Sequence, residues 1–292
     1  MLTTAYLQSE IGNLAFGPRL PLTTRHTMPA QRSLYAVGTT GIMDFFVTPG
    51  AYETLYPTGG TAATAAKIDL TAVSGFQLFC AVNAASPISY PSGAVAPGEV
   101  VTLYGQQFPP GTKVSFDGVQ APILYAGSNQ INAVVPFEIA SPTTNLSLEI
   151  GQQTMGPITL PVSQAIPAIF PNGIINQDGS VNSPTHPAAL GSIITVYMTG
   201  LGQMMPAIAD GAIGPLTAPF PVPVLGVSAS VGPTYVPTPS AMAPVLYAGQ
   251  APGLVAGTVQ VNIKIPTGAT TGATTLWVYV GNYSADQPIM IE

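Results

Sequence analysis

The sequence predicts an all-β protein: two tandem β-sandwiches behind a separate N-terminal β segment. Three observations carry this. First, one stretch occurs twice. Ala121-Pro122-Ile123-Leu124-Tyr125-Ala126-Gly127 leads into Gln130-Ile131-Asn132 and Pro136, and Ala243-Pro244-Val245-Leu246-Tyr247-Ala248-Gly249 leads into Gln260-Val261-Asn262 and Pro266. A repeat of this length outranks any single-residue signal for architecture. Second, 31 Gly and 31 Pro are spread along the chain, which breaks helix interiors and punctuates many short elements. Third, segments such as Val100-Val101-Thr102-Leu103-Tyr104 alternate in polarity with the period of a strand buried on one face.

Residues 1–80 lie outside the repeat. Ser33–Thr40 reads as a strand running into a glycine turn. Ala62–Asp69 has the composition of a short Ala-rich helix, which eight residues alone barely sustain. The first repeated unit covers residues 81–164. Within it Asp117-Gly118 predicts a hairpin turn, because both positions favour positive φ. The second unit covers residues 165–292. It is longer, and its Gly202–Pro223 insertion, rich in Pro, Gly and Ala, predicts a long surface loop. The upstream parallel of Val100–Gly105 with Ile193–Met198 and the downstream parallel of Asn145–Gly151 with Thr275–Gly281 extend the duplication over each whole unit. Strands at this spacing with turns between them suggest Greek-key sandwiches.

Two resemblances add to this. Tyr35-Ala36-Val37-Gly38-Thr39-Thr40, Asp44-Phe45, Thr48-Pro49-Gly50-Ala51-Tyr52 and Ala65-Ala66-Lys67-Ile68-Asp69 resemble one copy of the β-propeller repeat of large secreted bacterial proteins. That resemblance implies a strand, not a helix, at Thr64–Asp69. The region from Val82 to Glu292 resembles an uncharacterised C-terminal module of large secreted acidobacterial proteins, through Val82-Asn83-Ala84-Ala85-Ser86, Ala96-Pro97-Gly98-Glu99, Asn176-Gln177-Asp178-Gly179-Ser180-Val181-Asn182 and Thr199-Gly200-Leu201-Gly202. Each half is similar to the immunoglobulin-like fold of the IPT/TIG kind shared by plexins and transcription factors. The resemblance implies tandem immunoglobulin-like sandwiches and an extracellular or cell-surface setting. The N-terminus has no basic region followed by an apolar stretch, so a truncated start is expected. No apolar run reaches the roughly 18 residues of a membrane-spanning helix.

Composition narrows the partners. Net charge is −6 with six Lys and Arg, so no basic stripe offers a nucleic acid its phosphate contacts. Charged residues are 6% of the chain, which leaves little repulsion between copies. Self-association through strand edges is the expected partner mode, with the N-terminal segment as donor. The lone Cys80 excludes an internal disulfide and reads as a small buried hydrophobe.

The sequence proposes no catalytic set. His26 and His186 fall in different units and read as exposed loop residues. The carboxylates of the two units, Glu99, Asp117, Glu138, Glu149, Asp178 and Asp210, show no spacing that pairs them. No cofactor motif occurs. Asn176, Asp178, Ser180 and Asn182 alternate as oxygen donors around Gly179, like the start of a calcium loop, without its later glutamate or flanking helices. The same residues fit a hairpin turned at Asp178-Gly179 with its Asn side chains on backbone groups. Tyr125 and Tyr247 read as core tyrosines with bonded hydroxyls, or else as platforms for sugar. Asn132 and Asn262 read as inward amides tying neighbouring strands. A carbohydrate-binding module is the alternative function; it needs an exposed aromatic row, for which Trp277 and the tyrosines are the candidates.

Overall fold

A computed structural model describes residues 33–40, 62–69, 76–86, 93–140, 142–232 and 242–292. Every regular element among these residues is a β-strand, and none is a helix long and apolar enough to cross a membrane.

In the N-terminal region, β1 (Ser33–Thr40) pairs antiparallel with β2 (Ala62–Asp69), Ser33 opposite Asp69 and Thr40 opposite Ala62. The segment Thr64–Asp69 is therefore strand, where helix propensity alone misleads. The Thr48–Tyr52 portion of the propeller-like pattern and His26 lie outside the described residues.

The rest forms two immunoglobulin-like sandwiches of two four-stranded sheets each. The first contains β3 (Gln77–Asn83), β4 (Val100–Gln106), β5 (Lys113–Phe116), β6 (Val119–Gln120), β7 (Ile123–Ala126), β8 (Gln130–Val134), β9 (Thr143–Ile150) and β10 (Gln153–Pro161). Its sheets run β3-β4-β8-β7 and β10-β9-β5-β6. The second begins with β11 (Ala168–Ile175) and β12 (Ile193–Thr199). An extra hairpin of β13 (Met204–Met205) and β14 (Val222–Pro223) follows. It ends with β15 (Val227–Val231), β16 (Met242–Ala243), β17 (Val245–Gln250), β18 (Val259–Lys264), β19 (Gly272–Val280) and β20 (Tyr283–Ile291). Its sheets run β11-β12-β18-β17 and β16-β15-β19-β20, the same order strand for strand.

The alternation read from sequence places each core. Val101, Leu103, Ile131 and Ala133 point inward against Val114, Phe116, Leu146 and Leu148 of the opposite sheet. Ile194, Val196, Met198, Val261 and Ile263 do the same against Leu276, Val278 and Val280. Burying each such side chain stabilises the fold by about 1.5–3 kcal/mol. The Asp117-Gly118 turn forms as predicted, with φ of 49° and 82°.

One expectation is refined here and one corrected. The Gly202–Pro223 insertion lies on the surface as expected, but it is tied to the second sandwich. Met204 belongs to the second core and Ile208 packs against it, and its backbone bonds along residues 251–258 through Gly214 N–H to Leu254 O and Ala256 N–H to Ala212 O. Met205, Ile213 and Leu216 remain exposed on its outer side. Cys80 is half-buried rather than buried, because it stands at a bulge of β3 opposite Tyr104.

Candidate functional site

The outer face of the sheet β3-β4-β8-β7 holds the repeated residues. In β4 and β8 the side chains alternate with the core positions, so Thr102, Tyr104, Gln130 and Asn132 face away from Leu103 and Ile131. Thr102 sits opposite Asn132 and Tyr104 opposite Gln130. A bulge at Leu124 brings Tyr125 opposite Asn132 on that same face. In the second sandwich Thr195 sits opposite Asn262 and Tyr197 opposite Gln260, and a bulge at Leu246 brings Tyr247 opposite Asn262.

Hydrogen bonds repeat with the residues. Thr102 Oγ1 and Gln130 Nε2 both donate to Asn132 Oδ1, at 3.2 and 2.8 Å. Thr195 Oγ1 and Gln260 Nε2 both donate to Asn262 Oδ1, at 3.3 and 2.9 Å. The glycine that ends each Tyr-Ala-Gly step also has a role. A Cβ on Gly127 would stand 2.8 Å from the Tyr125 hydroxyl, and one on Gly249 2.7 Å from that of Tyr247. Each tyrosine thus folds back across its glycine.

This geometry corrects the burial expected of the four repeat residues, while the backbone-bonded hydroxyl expected of a core tyrosine is found at Tyr247. Tyr125 is 54% exposed rather than in the core. Tyr247 is half-buried; its hydroxyl donates to Gln250 O at 2.8 Å, and Phe220 of the insertion meets its ring edge-on at 5.8 Å. Burial raises the Tyr247 hydroxyl pKa. Asn132 and Asn262 do tie neighbouring strands, but from the outer face, because period-two alternation puts them opposite the buried Ile131 and Val261. Sequence reasoning passed over Thr102, Tyr104 and Gln130 with their partners Thr195, Tyr197 and Gln260. Their signal was present, since all six lie inside the duplicated segments. Trp277 is half-buried on β19, with Nε1 donating to Gly232 O at 3.3 Å.

The Asn176–Asn182 segment is a hairpin with its turn at Asp178-Gly179. Asp178 Oδ1 accepts from Ser180 N and Oγ at 2.9 and 2.6 Å, which lowers the carboxyl pKa. Asn176 Oδ1 accepts from Asn182 Nδ2 at 3.0 Å, and Asn182 Oδ1 accepts from Met290 N at 2.8 Å. Asp178 Oδ1, Asn176 Oδ1 and Asn182 Oδ1 are thus each engaged by a protein donor. Among the described residues no three His, Cys, Asp or Glu side chains gather as a metal cluster. His186 is exposed, with Nδ1 3.1 Å from Thr185 Oγ1.

The two sandwiches meet at a junction that the sequence did not announce. Asn83 Nδ2 donates to Ile166 O at 3.1 Å. Val100 N donates to Thr199 Oγ1 at 2.8 Å, and Thr199 Oγ1 donates to Gly257 O at 2.8 Å. Glu99 is fully buried beside these groups. Its Oε2 accepts from Ala96 N at 2.8 Å, while Oε1 has no hydrogen-bond partner. Burial pushes its pKa up to about 8 against the smaller opposing pulls of the Ala96 N–H and the Asn83 amide. The insertion adds a further contact: Asp210 Oδ1 accepts from Phe137 N at 3.0 Å, and Gln203 Nε2 donates to Phe137 O. A groove of about 260 Å³ beside the junction is lined by Pro97, Ile139, Val162, Gln203, Val224 and Leu225 among others, without an ionisable group.

These observations define a class: an all-β protein of tandem immunoglobulin-like sandwiches that presents a duplicated aromatic and amide face. Residues 82–162, the first sandwich, match the family model of the IPT/TIG domain. No curated protein matches the chain. Among solved structures, it is similar to a surface glycan-binding protein of Prevotella bryantii at 14% identity and a TM-score of 0.26, over 75% of this chain and 43% of that one. The chain thus spans less than half of the Prevotella protein. It is also similar to a Bacteroides ovatus surface glycan-binding protein in complex with a mixed-linkage heptasaccharide, at 10% identity and a TM-score of 0.31, over 95% of this chain and 69% of that one. Domains 4 and 5 of the S-layer protein SbsC are similar at 14% identity and a TM-score of 0.22, over 75% of this chain and 98% of that one.

Proposed function

We propose that the chain is a non-enzymatic β module of an extracellular or cell-surface protein, with a structural, adhesive or self-assembly role. In this reading residues 1–80 are a partial propeller-like segment, 81–164 the first sandwich and 165–292 the second. The junction is the observation that carries it. Buried hydrogen bonds from Asn83, Val100 and Thr199 hold two sandwiches in one fixed arrangement, which suits a spacer better than a hinged enzyme cleft. Low charge and unpaired outer strand edges favour protein partners, other copies included.

Two measurements test this. Protease applied to intact producing cells should cleave the chain; complete protection overturns the surface placement. Light scattering should show mass rising with concentration; a monomer at every concentration removes self-assembly from the role. The alternative, a carbohydrate-binding module, is favoured by one observation, the outward Tyr104 and Tyr125.

A further inference from the structure

The two sandwiches agree where packing does not require it. Facing inward, Val101, Leu103, Gly105, Ile131 and Ala133 of the first stand where the second has Ile194, Val196, Met198, Val261 and Ile263; every pair differs. Facing outward, Thr102, Tyr104, Leu124, Tyr125, Gln130 and Asn132 match Thr195, Tyr197, Leu246, Tyr247, Gln260 and Asn262 in six identical pairs, while the flanking outward Val100, Gln106 and Val134 stand where the second has Ile193, Thr199 and Lys264. A core accepts any apolar side chains of suitable total volume. Some buried pairs also match, Ala121 with Ala243 and Leu146 with Leu276, but core packing does not dictate the six outward side chains, so their identity answers to something outside the core.

Its chemistry is specific. The Asn132 carbonyl oxygen is taken by Thr102 and Gln130. The Asn132 Nδ2 donor and the Gln130 Oε1 acceptor, on two amides joined by that bond, have no protein partner among the described residues. Asn262 and Gln260 repeat this. Turning both amides over exchanges their roles and still leaves one donor and one acceptor. Tyr104, 43% exposed, and Tyr125 stand next to that pair in register, and Phe79 adds an exposed ring at the β3 bulge. No charged residue is among the six, although Lys264 follows Asn262 on the same face of β18 in the second sandwich.

We propose that this face is a recognition site for a neutral glycan, open in the first sandwich and partly covered by Phe220 in the second. A sugar bears adjacent hydroxyls that each donate and accept, which matches the amide pair, and its C–H-rich face packs on an aromatic ring. The absence of charge in the six residues disfavours an anionic ligand, which would need cationic partners. Two sites on one fixed unit bind a polymer with avidity. The proposal deepens the carbohydrate-binding alternative and stands apart from surface placement and self-assembly, which the cell and light-scattering tests address separately.

The test is electrophoresis of the full chain through native gels that contain mixed-linkage β-glucan, xyloglucan, galactomannan or, as an anionic control, alginate. At least one neutral polysaccharide should retard the chain and alginate should not. Tyr104→Ala with Tyr125→Ala should weaken that retention about tenfold, the loss expected for an aromatic contact. The matching Tyr197 and Tyr247 changes should abolish the remainder. Tyr104→Phe with Tyr125→Phe keeps the rings and should retain binding, which separates recognition from folding. No retardation by any of the neutral polysaccharides overturns the proposal. So does retention unchanged in the four-alanine variant, or a variant whose only change is in self-association, which would assign the face to a second copy.

Discussion

The backbone N–H of Val100, at the start of β4, donates to the hydroxyl of Thr199, at the end of β12 in the other sandwich, at 2.8 Å. The same hydroxyl donates onward to Gly257 O at 2.8 Å. One buried side chain therefore satisfies a donor of the first sandwich and an acceptor of the second.

Thr199→Val keeps the shape and removes the hydroxyl. It leaves the Val100 N–H and the Gly257 carbonyl without this partner in a buried site. Stability should fall by about 1–3 kcal/mol in urea denaturation, with Thr199→Ser close to the parent. An unchanged midpoint would show that the junction does not depend on this bond.

Glu99 sets a pH dependence. Its pKa rises on folding from 4.5 to about 8, mainly by burial. Between those values the native chain holds a proton that the unfolded chain has lost, so the contribution is full below 4.5 and is lost as pH rises through about 8. Stability should decline over that window by up to about 1.4 kcal/mol per pH unit from this group. Glu99→Gln should flatten the decline between pH 7 and 8, as read from denaturant midpoints.

Asp210 acts in the same direction over a lower window. Burial first, and then the neighbouring Glu138, raise its pKa from 3.8 to about 6 despite the Phe137 N–H. Its favourable contribution is present below 3.8 and lost as pH passes about 6. Asp210→Asn keeps an acceptor for Phe137 and should remove that dependence. Asp210→Ala should loosen the insertion, seen as faster proteolysis within Gly202–Pro223.

Gly200 stands at φ 77° with the Ile166 carbonyl where a Cβ would go, at 1.9 Å. Gly111, at φ 82°, has nothing within 4 Å of that position. Gly111→Ala should cost only the left-handed strain, about 1–2 kcal/mol. Gly200→Ala should cost more or prevent folding, because backbone would have to move at the junction. Equal melting shifts for the two variants would contradict this.

Much of the architecture was legible in the chain. The duplicated segments became equivalent strands, and Asp117-Gly118 became the expected turn, because both are local consequences of side-chain period and turn stereochemistry. The same period already set Asn132 against Ile131. The error lay in assigning a repeated residue to the core because it repeats, when the copies share outward residues such as Tyr125 as well as buried ones such as Leu146. Tyr125 and Tyr247 show the limit further. Their sequences around the ring are alike, yet one is open and the other is met by Phe220, which arrives from an insertion 27 positions upstream.

The sequence by itself determined an all-β chain of two like sandwiches and which side chains alternate together, since both follow from near-neighbour spacing. Tertiary structure alone decided which tyrosine is covered, that the insertion is tied along the second sandwich, and that Glu99 is buried. Those outcomes depend on segments such as Val100 and Thr199, 99 positions apart, whose meeting is set by how whole sheets pack and leaves no mark in local spacing.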